Sequence, residues 1–356
     1  MKPQTTPTDT LPPTVRDASA WYGPALRAGG EWLEHLNEAE VAEIESASRA
    51  LVDSGADLAR LQPTDFPLPT LAQRLGPVLH DLLEGRGFVL LRGLPVQRWP
   101  RALSAAAFLG LGCHLGRMRP QNAAGHLLGH VRDVGLSATD PNVRIYQTHE
   151  RQTFHTDSCD IVGLLCLQTA RSGGLSALVS STTMYNEMRR RRPDLAALLF
   201  EPLATDRRGE VPPGAQPWFE IPVFNWFAGR LSTIYQRQYI DSAQRFADAA
   251  RLTPARIAAL DLFDALANDP ALMMTMALEP GDMQFVHNHV LLHDRTAFED
   301  WPERELRRHL LRLWLAPPAA RALPPVYAQR YGNVEPGRRG GIALPTSPWN
   351  VPLDEL

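Results

Sequence analysis

The sequence predicts an α+β, β-rich fold: a β-sandwich or jelly-roll core flanked by helices at the N-terminal end and in one insertion. Two observations carry that expectation. Short apolar runs of strand length recur at 88–91, 161–167, 176–181, 273–278, 285–286 and 310–315, most of them flanked by glycine, proline or polar residues. Helical spacing of apolar residues, by contrast, is concentrated between Asn37 and Leu82 and again after Thr253.

The balance of the chain is that of an ordinary globular protein. It has 356 residues, 44% hydrophobic and 21% charged, with a net charge of -3, which is enough to bury a full core and too even to favour a nucleic-acid partner. Length alone allows two domains, but no linker-like stretch divides the middle. Residues 15–356 therefore read as one domain whose part over about 15–84 is helical, preceded by a flexible tail at 1–14 rich in Thr and Pro. Cys113, Cys159 and Cys166 are an odd, sparse set without a C-x-x-C pair, so neither a disulfide framework nor a structural zinc site is indicated and a reducing, cytoplasmic setting fits. No signal-peptide stretch or membrane-spanning run is visible. The expected partner is a small molecule, with neither nucleic acid nor membrane; a homo-oligomer is compatible with the sequence.

In chain order, Asn37 can cap a helix carrying Val41, Ile44 and Leu51, with Gly55 as its stop, and Thr70 can cap a second carrying Leu71, Leu75, Val78, Leu79 and Leu82. Gly85 and Gly87 hand over to a first core strand at 88–91, and an Ala-rich helix follows near 103–111. Residues 116–152 read as a long polar loop, of the kind used as a lid or binding loop, with Arg117, Arg119, Arg132, Arg144 and Arg151. Phe-His-Thr-Asp at 154–157 stands at the mouth of the strand 161–167. After the turn at Gly173-Gly174 come a strand at 176–181 and a basic helix containing 184–192. Residues 206–225 look loop-like, and the nearby aromatics Trp218, Phe219, Phe224, Trp226 and Phe227 read as packing. Thr253-Pro254 opens a helix, and Pro280-Gly281-Asp282 is a turn between the later strands.

His155 and Asp157 carry the chemistry. On a strand, residues two apart face the same way, so this pair can grip one ion and a third ligand must come from another strand. Two imidazoles and a carboxylate with open positions are the ligand set of mononuclear non-haem iron oxygenases. Three downstream histidines, His287, His289 and His293, are available, and His287 with His289 would also fit a zinc pair on a strand face.

From Gly85 to about Pro317 the chain resembles the TauD/TfdA (taurine dioxygenase-like) family of Fe(II)- and 2-oxoglutarate-dependent oxygenases. The matching segments are Gly-Phe-Val-Leu-Leu-Arg-Gly (87–93), Phe-His-Thr-Asp (154–157), Gly-Gly-Leu-Ser (173–176), Pro-Gly-Asp (280–282), Asn288 with Leu292-His293, and Arg-His-Leu-Leu-Arg (308–312). The resemblance implies a double-stranded β-helix (jelly-roll) core and a metal site of His155, Asp157 and His293. His287 stands where the family pattern has an acid. By the same resemblance Arg308, about fifteen residues after the distal histidine, pairs with the remote carboxylate of 2-oxoglutarate, helped by Arg312 and by Ser176 in place of a threonine; a guanidinium fork suits that task. An ordinary ion pair is the alternative for each arginine.

The implied cofactors are Fe(II), 2-oxoglutarate as cosubstrate and O2. The implied reaction is oxidation, by default hydroxylation, of an unactivated C–H bond of a small organic molecule, releasing succinate and CO2. Asp157 argues against halogenation, because related halogenases lack that carboxylate. Tyr146, Gln147 and Arg151 are candidate substrate-facing residues, and the arginines of 116–152 are compatible with an anionic substrate or a natural-product intermediate. The competing readings are a non-catalytic metal- or small-molecule-binding jelly roll and a zinc hydrolase using His287 and His289; the latter has no H-E-x-x-H motif to support it.

Overall fold

Alternation along the strands explains the layering. The computed structural model describes residues 11–137, 143–344 and 347–353. Its larger sheet orders the strands Leu33–His35, Phe88–Arg92, Met283–His287, Ile161–Gln168, His309–Ala316 and Arg117–Met118, with Leu128–Val131 also paired to His309–Ala316. The smaller sheet orders Met274–Met276, Ser176–Ser180, Leu291–Arg295 and Gln152–His155. These pairings are antiparallel except that between Leu33–His35 and Phe88–Arg92.

On His309–Ala316, Leu311, Leu313 and Leu315 join one apolar cluster with the helices Glu38–Ser54, Leu71–Glu84 and Arg101–Leu115, while Leu310 and Trp314 face the other way. There they meet Leu178 and Leu291 of the smaller sheet. Ala177, Val179 and Leu292 of that sheet pack outward on the helices Ser181–Arg191, Pro193–Leu198 and Pro254–Ala267. The result is helix, sheet, sheet, helix, a jelly roll covered on both faces, as expected.

The first long helix runs over Glu38–Ser54 with the Asn37 side chain and Glu40 forming a capping box and Gly55 at φ 64 ending it. Thr70 makes no side-chain cap to the next helix; instead the Glu43 carboxylate accepts from the Thr70 and Leu71 N–H groups at 2.7 and 3.0 Å. Two motifs that the sequence offered for the family turn out to hold the sheet. Arg92 forks onto the buried Asp282 carboxylate with two 2.8 Å bonds, and Gly281, at φ 95, lies so close to Leu94 that a Cβ would fall 2.0 Å from its carbonyl oxygen.

Two expectations are corrected. Residues 206–225 are not simply a loop: Pro202–Asp206 and Trp218–Pro222 form an antiparallel ladder whose residues Phe219 and Ile221 are buried, followed by the hairpin Phe224–Phe227 and Arg230–Thr233. Residues 1–10 of the expected tail lie outside the described residues, but the segment after them is docked, since Tyr185 Oη and Arg189 Nε both donate to the Pro12 carbonyl and Leu11 and Val15 pack on the outer helical layer. Residues 138–142 of the expected long loop are likewise outside the description. All three cysteines are buried and free. Among the described residues no helix is long and apolar enough to cross a membrane.

Candidate active site

His155 and His293 are directly opposite one another on the paired strands Gln152–His155 and Leu291–Arg295, with ring centroids 4.1 Å apart. Pairing across the sheet thus joins candidate ligands far apart in sequence. Asp157 reaches them differently from the expectation. The strand ends at His155, so Asp157 is delivered by the segment that crosses between the sheets, not by strand alternation. That segment is clamped: the Thr156 N–H donates to the Tyr235 carbonyl at 2.8 Å, the Tyr235 N–H to Thr156 Oγ1 at 2.9 Å, and the Asp157 N–H to Asn288 Oδ1 at 3.0 Å. Among the described residues, His155, Asp157 and His293 form the one group of His, Cys, Asp or Glu side chains able to hold an ion, with ligand atoms all within 4.8 Å.

Their surroundings suit them to holding an ion. The Thr153 carbonyl sits 2.8 Å from His155 Nδ1, which favours the proton there and leaves Nε2 as an acceptor, 2.8 Å from the Gln152 amide nitrogen and 3.8 Å from Asp157 Oδ1. Asp157 Oδ2 accepts from the Trp314 indole N–H at 2.7 Å and from Arg312 at 3.3 Å. Burial on its own would raise this carboxyl, but Arg312, both histidines and Trp314 outweigh it and hold it at about 2. Burial, reinforced by His155, pushes His293 down to about 3, so its imidazole is neutral. His293 Nδ1 is buried without a hydrogen-bond partner.

Beside the triad, between the sheets, a cavity is walled by His155, His293, Ser176, Arg295, Arg308 and Arg312. Arg308 is 5% exposed and its Nη1 has no partner; burial lowers it to about 10. It precedes the strand His309–Ala316, whose register shifts between His309 and Leu310, yet it shares the cavity with Arg312. Arg295 donates to the backbone carbonyls of Thr148 and Glu150, not to a carboxylate, and burial together with Arg308 lowers it to about 9. Among the charged groups lining it, Arg295, Arg308 and Arg312 outnumber Asp294, an excess of positive charge that suits a small dicarboxylate.

A second cavity opens on the other side of His155 and Asp157 and is lined by Arg144, Phe219, Tyr235, Gln236 and Arg330 among others. Tyr146 belongs to both cavities and lies 4.6 Å from the Arg312 guanidinium, ring to cation. Gln147 and Arg151 do not line these two cavities: Arg151 is held by the buried Asp294 at 2.7 Å and by Asn268 at 2.5 Å. Trp314, Tyr235, Gln236 and Arg330 were not singled out as site residues; Trp314 was hidden as one more apolar position of a strand, and Arg330 lies in a segment without a motif.

His287 and His289 have no such opening. Both are fully buried, and His289 Nε2 lies 2.8 Å from Asp160, which Arg339 also holds at 2.9 Å. His289 is thus sealed against the Asp160–Arg339 ion pair, and both ring nitrogens of His287 are buried without a partner, an arrangement that does not favour the zinc-hydrolase reading.

The family model described as "Taurine catabolism dioxygenase TauD, TfdA family" matches residues 54–314. The chain belongs to the TauD/TfdA family. It is a 2-oxoglutarate-dependent non-haem iron dioxygenase, using Fe(II), 2-oxoglutarate and O2 to oxidise a small molecule. Among relatives, the chain is 31% identical over 347 residues to FR-33289 synthase of Streptomyces rubellomurinus, covering 96% of this chain and 97% of that protein. It is 30% identical to the taurine hydroxylase-like protein SAT17 of Stachybotrys chartarum, over 85% and 82% of the two chains. A uridine-5'-phosphate dioxygenase of Amycolatopsis is 31% identical over 65% of this TauD/TfdA chain and 85% of its own. In fold, the chain resembles asparagine oxygenase crystallised with Fe(II), 3-hydroxyasparagine and succinate, at TM-score 0.61 and 20% identity over 80% of this chain and 93% of that one.

Proposed function

We propose that His155, Asp157 and His293 hold the ferrous iron of this dioxygenase and that Arg308, Ser176 and Arg312 receive 2-oxoglutarate in the cavity beside it. The observation that carries this is the cross-sheet pairing of His155 with His293 next to a carboxylate oxygen, Asp157 Oδ1, that the protein leaves facing them. When bound, iron and 2-oxoglutarate together activate O2 for removal of hydrogen from an unactivated C–H bond, with release of succinate and CO2. The protein's part is to bind, orient and exclude. Trp314 and Arg312 fix one oxygen of Asp157, Thr153 fixes the His155 tautomer, and Arg308 offers an unsatisfied buried N–H to the remote carboxylate. A complete carboxylate ligand supports hydroxylation over halogenation.

The cavity on the far side of the triad is read as the substrate pocket, with Tyr146 in its wall. Relatives named for making FR-33289 and for oxidising uridine-5'-phosphate support a small anionic molecule or biosynthetic intermediate as substrate. We read residues 15–356 as one oxygenase domain, since a single apolar cluster runs from Leu36 in the N-terminal part to Val351. A cytoplasmic location agrees with the three free thiols.

The test is anaerobic. Fe(II) and 2-oxoglutarate added to the apoprotein should produce a visible charge-transfer band, and His293→Ala should abolish it. A folded wild type without the band sinks the cosubstrate assignment; a band that survives in the variant removes His293 from the ligand set.

A further inference from the structure

The substrate cavity carries a charge imbalance that the oxidation chemistry does not use. Its charged walls are Arg144, Arg312 and Arg330 against Asp157. Arg312 is matched to Asp157, at 3.3 Å. The other two come from separate parts of the chain, Arg144 from the stretch before the metal motif and Arg330 from the short helix Ala328–Tyr331, and they converge on one carboxylate. Glu210 Oε1 is in direct contact with Arg144 Nη2, while Glu210 Oε2 stands 3.8 Å from Arg330 Nη2 and has no hydrogen bond of its own. Arg330 also donates through Nε to Ser158 Oγ at 2.8 Å, beside Asp157, and Arg144 donates to the Gln121 carbonyl at 3.1 Å.

Two guanidiniums with little exposure share a single negative charge. A buried cation without a full partner is costly, and a second anion placed between the two forks would complete both. We infer that Arg144 and Arg330 bind an oxyanion, carboxylate or phosphoryl, carried by the molecule that is oxidised, and that Glu210 holds the pair in register and competes with that group. This rests on the assignment of the triad to iron, because it is the triad that makes this cavity the substrate pocket. The rest of the wall defines the remainder of the ligand. Phe219, Ile221 and Val223 offer apolar contact, and Gln236 Oε1 is buried without a partner and can accept from a hydroxyl or amide. The oxyanion would be held at one end while the body of the molecule reaches the metal.

The experiment uses the Fe(II)- and 2-oxoglutarate-loaded protein under argon, so that Arg308 and Arg312 are already engaged. Inorganic phosphate and acetate are titrated separately at constant ionic strength, following the thermal midpoint and the charge-transfer band. At least one of the two is expected to bind saturably; stronger binding of phosphate assigns a phosphoryl group, stronger binding of acetate a carboxylate. Arg144→Gln and Arg330→Gln should each weaken that binding about tenfold or more while the band itself persists. Glu210→Gln should tighten it, a gain that misfolding cannot produce. No saturable binding of either anion to a protein that shows the band overturns the inference, as does equal affinity in wild type and both arginine variants. Absence of the band in the wild type is a different result, which overturns the iron assignment beneath it.

Discussion

Asp157 gives one oxygen to the protein and turns the other toward the two histidines, and the proposed metal site depends on that division. Oδ2 is held by Trp314 and Arg312, so Oδ1 has one direction left to point. Trp314→Phe keeps the ring and loses the 2.7 Å donor; the expected result is about a tenfold fall in Fe(II) affinity, read by anaerobic titration, with the fold intact by circular dichroism. An unchanged affinity would mean that the indole only fills space. At Arg308 the planar fork is the point. Arg308→Lys should raise the KM for 2-oxoglutarate about tenfold or more with a smaller effect on kcat, since a point charge cannot reproduce a bidentate contact. The proposed ligands were legible because H-x-D and a distal histidine stand in a family pattern. The second layer was not: Gln121, Thr153 and Trp314 act through atoms whose direction is set by packing, and no spacing rule reports that.

At the scale of elements, the buried helix Arg101–Leu115 shows how close packing overrides propensity. Gly110 lies against Phe66, where an added Cβ would fall 2.3 Å from a ring carbon. Alanine would gain about 1 kcal/mol of helix propensity, but overpacking costs about 1–3 kcal/mol, so the clash decides the sign. Gly110→Ala is therefore expected to lower the urea midpoint; a raised midpoint would mean that Phe66 swings away without cost. Periodicity read most elements correctly, the helix Glu38–Ser54 with its caps and the strand His309–Ala316 among them. It failed at 206–225, where polar residues and Pro212-Pro213-Gly214 concealed a ladder whose burial alternates only along Trp218–Pro222. It also put Asp157 on a strand that ends two residues earlier.

Across the whole molecule, the C-terminal segment returns to the site. Gly341 N–H donates to the Ser158 carbonyl at 2.8 Å, Ile342 N–H to the Pro120 carbonyl at 2.7 Å, and Arg339, fully buried, bonds Asp160 at 2.9 Å and the Arg321 carbonyl at 2.7 Å. Arg339→Ala would strand the Asp160 carboxylate in the interior. The expected cost is about 3–5 kcal/mol in chemical denaturation, with the iron and 2-oxoglutarate band retained in the protein that remains folded. Loss of the band in folded protein would instead tie the His289 cluster to metal binding. By itself the sequence determined the β-rich jelly-roll class, the helical flanks, the family and the order of the residues now proposed as metal and cosubstrate ligands, because those depend on local periodicity and on motifs contiguous in the chain. Only the tertiary structure decided how Asp157 is presented, that His287 and His289 are buried, the latter against the Asp160–Arg339 pair, and that Arg144 and Arg330 meet over Glu210. Those are relations between segments that touch only after the sheets have paired, and hydrogen-bond direction, burial and charge balance exist only there.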